Sequence, residues 1–334
     1  MSLDPVDEIM PIFPLLEASI LGDRPTPQPA HFRVSTVISQ NHADPFCAYP
    51  VPMSNAIKPK ITQRLLTISN ERRQNLERSS AGSRDCGGRV YSVNPQAILD
   101  VGTGTGIWAI DVADAFPAAR VTGLDLSPIQ PTFVPPTCSF EIDDVTMPWT
   151  YDTEQFDLIY VREMFGSIPD WDAFLRQCWA SLRPGGYIEV VEHSITPIWD
   201  ADTSLGPIYA LWEQTMAQVE QVSGRSFSIW RESAQVLEGS GFQDITKRSY
   251  KWPISGWNTD PRLRELGRLN QLRLLQAIED IFLRHLTSTM AWPYDAVQNF
   301  IERIRSTIRD EQRHLYQPVT VVYGRKPCPS SEIL

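Results

Sequence analysis

Three glycines and one carboxylate stand together in the segment ILDVGTGTG, residues 98–106, where a short apolar run ends. Glycine allows a ligand to approach the backbone closely because it has no Cβ atom. Asp100, two residues before the first glycine, would repel a pyrophosphate but can bind an ammonium group. The loop therefore favours S-adenosyl-L-methionine (SAM), which carries an α-amino group and no phosphate. A generic tight turn of a nucleotide-binding fold is the alternative interpretation.

The spacing of the glycines also departs from the dinucleotide fingerprint. It is GxGxG rather than GxGxxG, because Ile107 stands where the last glycine would be. An NAD dehydrogenase is therefore the less favoured interpretation. We expect the loop to contact the cofactor through Asp100, Gly102, Thr103, Gly104 and Gly106.

Further carboxylates follow the next two predicted strands. Asp125 can accept hydrogen bonds from both ribose hydroxyls of either cofactor, and Leu126 beside it is a second expected contact. Asp144 can accept from an adenine amine, while the backbone N–H of Val145 meets a ring nitrogen. For Asp143, a solvated acidic turn is an equally good interpretation.

The fourth and fifth predicted strands end in the residues that we place at the methyl acceptor. His193 is the first candidate general base, since an imidazole has a pKa of about 6.5 and can take a proton from a hydroxyl or amine. Glu163 is the second candidate, and Arg162 is placed at the cofactor. A histidine that only packs, and a Glu163 that only pairs with Arg162, are the alternatives.

Short apolar runs that alternate with helical patterns predict how these residues are positioned. They indicate an α/β fold with a doubly wound, largely parallel sheet. The predicted domains are an N-terminal arm and helical cap over 1–90, with helices near 8–21 and 58–80, a main domain over 91–327 and a tail over 328–334. Helical insertions at about 200–240 and 258–315 would form a lid over the carboxyl edge of the sheet. The predicted strands are 97–101, 121–124, 139–142, 156–161, 187–192, 243–250 and 319–323, and the predicted helices are 107–116, 171–182, 205–222, 229–238 and most of 260–313, with an interruption near 292–293.

Composition excludes several classes of partner. A net charge of −10 without a Lys/Arg cluster argues against direct nucleic-acid binding. The apolar stretch at 9–21 is broken by prolines and is too short to span a bilayer. Five cysteines without a C-x-x-C pair predict neither a disulfide framework nor a metal site. We expect a reducing compartment, the cytoplasm, with the nucleus as the alternative.

Several motifs together resemble those of the fungal LaeA-like methyltransferases. They are DVGTGTGIWAID at 100–111, GLDLSPIQP at 123–131, GSIPDW at 166–171, PGG at 184–186 and WNTDP at 257–261. The resemblance spans about 45–327 and implies a seven-stranded, Rossmann-like class I fold, with the last strand antiparallel and SAM as cofactor. It also implies that Asp100, Gly102 and Gly104 hold the methionine end of SAM, that Asp125 holds the ribose, and that Asp144 and Val145 meet the adenine.

The sequence departs from that family in two places. Residues 49–55 keep the prolines but lack the acidic cluster that usually follows them. His193-Ser194 stands where the family has an apolar residue and then an acid. The family includes a nuclear regulator of secondary metabolism, and these differences put that role in doubt for this chain. They also suggest an acceptor pocket peculiar to this chain.

The expected reaction is the in-line transfer of a methyl group from SAM to oxygen or nitrogen of a small, largely apolar secondary metabolite. In such a transfer the enzyme mainly aligns the nucleophile and excludes water. One alternative is a nuclear regulator that acts through velvet-type partners, and another is a SAM-binding fold that catalyses a step other than methylation. A homodimer is also compatible with the sequence.

Overall fold

The computed structural model describes residues 95–199 and 206–329, together with the backbone of 28–29 and 32–34. The predicted helices near 8–21 and 58–80, and most of the arm and cap over 1–90, lie outside the described residues. So does the tail beyond residue 329. The main predicted domain is described almost in full.

The described chain contains eleven strands in sequence order. They are β1 Gln28–Pro29, β2 Phe32–Val34, β3 Ala97–Val101, β4 Arg120–Asp125, β5 Phe133–Val134, β6 Cys138–Ile142, β7 Phe156–Arg162, β8 Leu182–His193, β9 Ile198–Trp199, β10 Gln243–Pro253 and β11 Leu315–Arg325. The helices are α1 Ile107–Ala115, α2 Trp171–Ser181, α3 Pro207–Ser223, α4 Ile229–Gly239, α5 Pro261–Arg284 and α6 Tyr294–Arg309, with a π-helical segment at His285–Thr289 and a 3-10 turn at Glu311–Arg313.

One large sheet organises the molecule, with strand order β10-β11-β8-β7-β3-β4-β6-β2. The pairings from β8 to β2 are parallel, while β11 runs antiparallel to both β8 and β10. The seven predicted strands and the antiparallel last strand are therefore confirmed. β2 and β9 were not predicted, since strands of two or three residues are too short to show an alternating pattern.

Helix ends follow from local chemistry. The Asp170 side chain accepts from the Ala173 N–H at 2.8 Å and caps α2, and the Asp260 side chain caps α5 in the same way. The predicted interruption near 292–293 is confirmed, because Pro293 immediately precedes the first residue of α6. Proline has no N–H to donate and therefore does not continue a helix.

The insertion helices pack directly against the sheet. Gly267 in α5 lies so close to the chain after β10 that a Cβ atom there would be 1.9 Å from the Ser255 carbonyl oxygen. The Ser255 N–H donates to the Gly267 carbonyl at 2.9 Å, and the Asn270 side chain donates to the Pro253 carbonyl at 3.1 Å. Contacts of this kind fix α5 beside the carboxyl edge of the sheet.

The helices and the cysteines bear on the cellular environment of the chain. Within residues 95–199 and 206–329, no helix has both the length and the apolar character needed to cross a bilayer. Cys138 and Cys178 are buried free thiols. Cys328 is disulfide-bonded, which departs from the reduced state that the cysteine pattern predicted.

Candidate functional site

The glycine loop between β3 and α1 requires glycine for two separate reasons. Gly102, Gly104 and Gly106 have φ angles of +68°, +60° and +76°, in the left-handed region that side chains disfavour. In addition, a Cβ atom on Gly102 would lie 2.4 Å from the sulfur of Met164. The loop therefore presents bare backbone at the carboxyl edge of the sheet.

Asp100 lies at the end of β3 and is fully buried. Its Oδ2 accepts from the Thr103 hydroxyl at 2.5 Å, whereas Oδ1 has no hydrogen-bond partner within the described part of the chain. Burial raises the pKa of Asp100 from 3.8 to about 7, although the Arg162 guanidinium opposes the shift. An ammonium group at Oδ1 would satisfy this atom, so the residues present fit the methionine end of SAM.

Asp125 holds the glycine loop in place. Its Oδ2 accepts from the Gly104 N–H at 2.7 Å, and its Oδ1 accepts from the Ser127 N–H at 2.9 Å. This role was not predicted from the sequence. A contact from the same carboxylate to the ribose stays a prediction.

Gln130 also holds the glycine loop, and it was not predicted from the sequence. Its buried side-chain amide donates to the Gly104 carbonyl at 2.7 Å and to the Ser127 carbonyl at 2.9 Å. It therefore joins the glycine loop to the turn after β4. The only signal was its place in the motif GLDLSPIQP, because a neutral amide does not stand out as a binding residue.

The residues predicted at the adenine lie at the neighbouring strand end. The Asp143 N–H donates to the Asp125 carbonyl at 3.1 Å, so the turn after β6 meets the end of β4. Asp144 Oδ1 accepts from the backbone N–H of Thr146 at 2.9 Å and from its hydroxyl at 2.7 Å. Val145 is buried, and Leu126 is half-buried. The structure brings the predicted residues together, and their contacts with adenine stay a prediction.

The acceptor side of the edge begins with Glu163, directly after β7. Its φ angle of +55° is unusual for a residue with a side chain, and such strain is concentrated at functional sites. The Glu163 N–H donates to the Val191 carbonyl of β8 at 3.0 Å, which fixes this conformation.

Glu192, near the end of β8, is a second buried carboxyl at this edge. Its Oε1 accepts from the Met164 N–H at 2.8 Å. Burial raises the pKa of Glu192 to about 8. Its Oε2 and the Nε of buried Arg162 have no hydrogen-bond partner within the described part of the chain. With Asp100 Oδ1, these atoms form a group of unsatisfied polar atoms of the kind that a polar ligand would complete.

His193 is more enclosed than its predicted role requires. Its Nε2 lies 3.0 Å from Nη1 of Arg273, and its Nδ1 lies 3.1 Å from the Ser194 carbonyl and 2.9 Å from the side-chain nitrogen of Gln317. Burial, and then the Arg273 guanidinium, lower the pKa of His193 from 6.5 to about 4. Because a guanidinium can only donate, the Nε2 lone pair is occupied. As arranged, His193 is a neutral imidazole without a lone pair available to an acceptor.

Arg273, which makes this contact, was also missed in the sequence. It is one of the arginines of α5, but it lies among Leu266, Asn270, Leu274 and Ala277 on the buried face of that helix. An arginine on an otherwise apolar helix face is the sequence signal that marks such a buried cation.

The strand order, the glycine loop after β3 and the carboxylates after β4 and β6 define a class I SAM-dependent methyltransferase. A family model described as a methyltransferase domain matches residues 57–247. The chain belongs to that family and, within it, to the fungal LaeA-like methyltransferases that its motifs resembled.

Named relatives support this assignment. The methyltransferase pytC of Aspergillus terreus is 36% identical over 70% of this chain and 72% of its own length. The secondary metabolism regulator LAE1 of Cochliobolus heterostrophus is 34% identical over 69% of this chain and 76% of its own length. The protein-methionine methyltransferase laeA of Emericella nidulans is 31% identical over 71% of this chain and 65% of its own length.

Solved structures are more distant. Phosphoethanolamine N-methyltransferase 2 of Haemonchus contortus, in complex with SAM, is 16% identical over 77% of this chain and 52% of its own, with a TM-score of 0.41.

Proposed function

We propose that this SAM-dependent methyltransferase methylates an oxygen or nitrogen atom of a small, largely apolar metabolite. The observation that carries the proposal is a partly exposed carboxylate whose neighbour His193 packs against the ring of Phe165. The Glu163 side chain is 23% exposed, whereas that of His193 is 5% exposed. The ring of Phe165 lies 4.8 Å from the imidazole and 6.4 Å from the ring of Phe227.

Glu163 is the residue that we propose as proton acceptor. SAM supplies an electrophilic methyl group on a sulfonium, so the chain has only to align the nucleophile and remove its proton. Glu163 is at the carboxyl edge, one residue beyond β7, and its carboxylate is more accessible than the imidazole of His193. We assign His193 a supporting role as a neutral neighbour, 3.9 Å from Glu163 Oε2.

The remaining parts of the site have proposed roles in binding and enclosure. Asp100, Gly102, Thr103, Gly104, Gly106, Asp125, Leu126, Asp144, Val145 and Arg162 would bind SAM, as the sequence predicted. The N-terminal region 1–90 and the insertions would enclose the acceptor. The proposed location is the cytoplasm, with the nucleus as the alternative, and imaging of the tagged full chain tests it.

Two variants test the assignment of the base. Replacing Glu163 with Gln keeps its size but removes its basicity, so turnover should fall about 100-fold or more while SAM affinity is unchanged. His193→Gln should reduce turnover much less. The measurement is the initial rate of S-adenosylhomocysteine formation, with SAM affinity determined by calorimetry. Full activity of Glu163→Gln together with an inactive His193→Gln would return the role of base to His193.

The acceptor is identified by where the methyl group appears. Incubation with SAM and a metabolite extract should add about 14 Da, one methyl group in place of a hydrogen, to a small molecule. Intact-protein mass spectrometry of the same sample tests the alternative that the protein itself is methylated. The name of one relative, protein-methionine methyltransferase, suggests this alternative. A mass gain on the protein alone would contradict a small-molecule acceptor.

A further inference from the structure

We propose that Arg273, from the insertion helix α5, is a positioning residue of the methyl-transfer site. Arg273 holds His193 as a fixed hydrogen-bond acceptor and orients the carboxylate of Glu163. This inference rests on the proposed function for its link to turnover. The effect of Arg273 on His193 can be measured without an activity assay.

The Arg273 guanidinium is almost entirely buried and fully hydrogen-bonded. Nε and Nη2 donate to Asn270 Oδ1 at 3.2 and 3.1 Å, and Nη2 also donates to Gln317 Oε1. Nη1 lies 3.0 Å from His193 Nε2 and 3.3 Å from Glu163 Oε1. A guanidinium has five N–H groups, and these five contacts use them all. Arg273 therefore has no donor left for a substrate.

The partners of Arg273 come from four separate parts of the fold. Asn270 belongs to α5, Glu163 follows β7, His193 ends β8 and Gln317 belongs to β11. Because a guanidinium is a planar, rigid fork, one orientation satisfies all of these acceptors at once. Arg273 thus joins the insertion to three strand ends at the catalytic edge of the sheet.

Burial and the contact with Arg273 together lower the pKa of His193 and keep its ring neutral. Nε2 accepts from Arg273, so the proton of the neutral ring is on Nδ1, which faces the Ser194 carbonyl at 3.1 Å. The side-chain nitrogen of Gln317 also lies 2.9 Å from Nδ1 and donates to the same carbonyl at 3.0 Å, so the Ser194 carbonyl accepts from both groups. A proton on Nε2 would point at a cation. Arg162 is a second cation that disfavours the imidazolium, and Glu163 is the anion that favours it. The ring therefore stays neutral and acts as a fixed acceptor.

The same guanidinium fixes the direction of the Glu163 side chain. The strained backbone of Glu163 leaves its carboxylate facing α5, where it forms an ion pair with Arg273 at 3.3 Å. A misplacement of about 1 Å can cost about 100-fold in rate. Without Arg273, the carboxylate would lose the contact that sets its direction, and His193 would lose the cation that, after burial, lowers its pKa most.

The test compares Arg273→Gln and Arg273→Lys with Arg268→Gln, a change at an exposed arginine of the same helix. In Arg273→Gln, the His193 ring pKa, followed by NMR of labelled histidine, should rise measurably above about 4, although burial still holds it below 6.5. Its kcat should fall about 100-fold, while SAM affinity stays unchanged. Arg268→Gln should change none of these quantities.

Arg273→Lys separates the charge from the planar fork. Lysine keeps a cation near His193 but cannot make all the contacts of Arg273, so the ring should stay neutral while turnover stays low. If Arg273→Gln does not fold, the turnover of Arg273→Lys still tests the proposal. The proposal is overturned if His193 keeps its low pKa in Arg273→Gln, or if either variant turns over like the wild type. If the wild type methylates no small molecule, the NMR titration still tests the effect of Arg273 on His193.

Discussion

At the scale of single residues, the site combines two buried carboxylates, which we propose to bind SAM, with a histidine whose pKa is lowered to about 4 by burial and Arg273. Asp100 and Asp125 could be placed from sequence because each directly follows an apolar strand pattern. The state of His193 could not, because its pKa depends on Arg273, 80 residues away in the sequence. Gln130 was missed for a different reason, since a neutral side chain that bonds backbone carbonyls carries no sequence signal of its own.

Removal of the Asp125 carboxylate tests the cofactor side of the site. In Asp125→Ala, both the proposed ribose contact and the bond to the Gly104 N–H are lost. Hydrogen bonds to a charged group contribute about 1.5–3 kcal/mol each, so SAM affinity should fall at least tenfold. Calorimetric titration measures the change, and Asp143→Ala at the adjoining turn serves as the control. Equal affinity of Asp125→Ala and the wild type would refute the assignment.

Asp100 should make SAM binding depend on pH. Its pKa of about 7 means that the buried carboxyl is largely protonated below that pH and must release its proton to bind the ammonium of SAM. Affinity should therefore rise by up to about tenfold per pH unit between pH 5 and 7. Titration in buffers of different ionisation enthalpy measures the released proton. Asp100→Asn should bind weakly without this dependence, and a pH-independent wild type would contradict the account.

At the scale of elements, the sequence predicted most of the architecture. Strands buried in a parallel sheet are rich in apolar residues, so β3, β7 and β8 were recognisable. β6 was recognisable from its alternation of apolar and polar residues. The π-helical segment at His285–Thr289 was not, because one extra residue in a turn leaves the helical pattern almost unchanged. The close packing of Gly267 on Ser255 depends on tertiary structure and could not be predicted from the local sequence.

The glycine loop can be tested by comparing two glycines with nearly the same φ angle. Gly102 and Gly224 have φ angles of +68° and +66°, but a Cβ atom on Gly224 would meet nothing within 4 Å. Gly224→Ala should therefore cost only about 1–2 kcal/mol of stability. Gly102→Ala should cost more and also weaken SAM binding, because it displaces Met164. Thermal unfolding and calorimetry measure both effects, and equal SAM affinity in the two variants would contradict a cofactor role for the loop.

At the scale of the whole molecule, the insertion and the sheet form one unit. α5 packs on β10 through Gly267, and it delivers Arg273 to the ends of β7 and β8. A substitution that disrupts this contact should therefore affect the catalytic edge of the sheet as well as the insertion.

Gly267→Ala tests that coupling, since its Cβ atom would overlap the Ser255 carbonyl. Overpacking of this kind typically costs about 1–3 kcal/mol. We expect a single unfolding transition at a lower temperature, together with reduced turnover. Gly239→Ala, at the end of α4, has open space around it and should leave both unchanged. Separate unfolding transitions for the insertion and the sheet, seen by calorimetry, would disprove the coupling.

The central claim is that this chain binds SAM through carboxylates and bare backbone at the carboxyl edge of β3 and β4. Parallel calorimetric titrations of the purified full chain with SAM and with NAD examine it most directly. The account predicts saturable binding of SAM at one site per chain and no heat of binding with NAD. Binding of NAD without binding of SAM would contradict it.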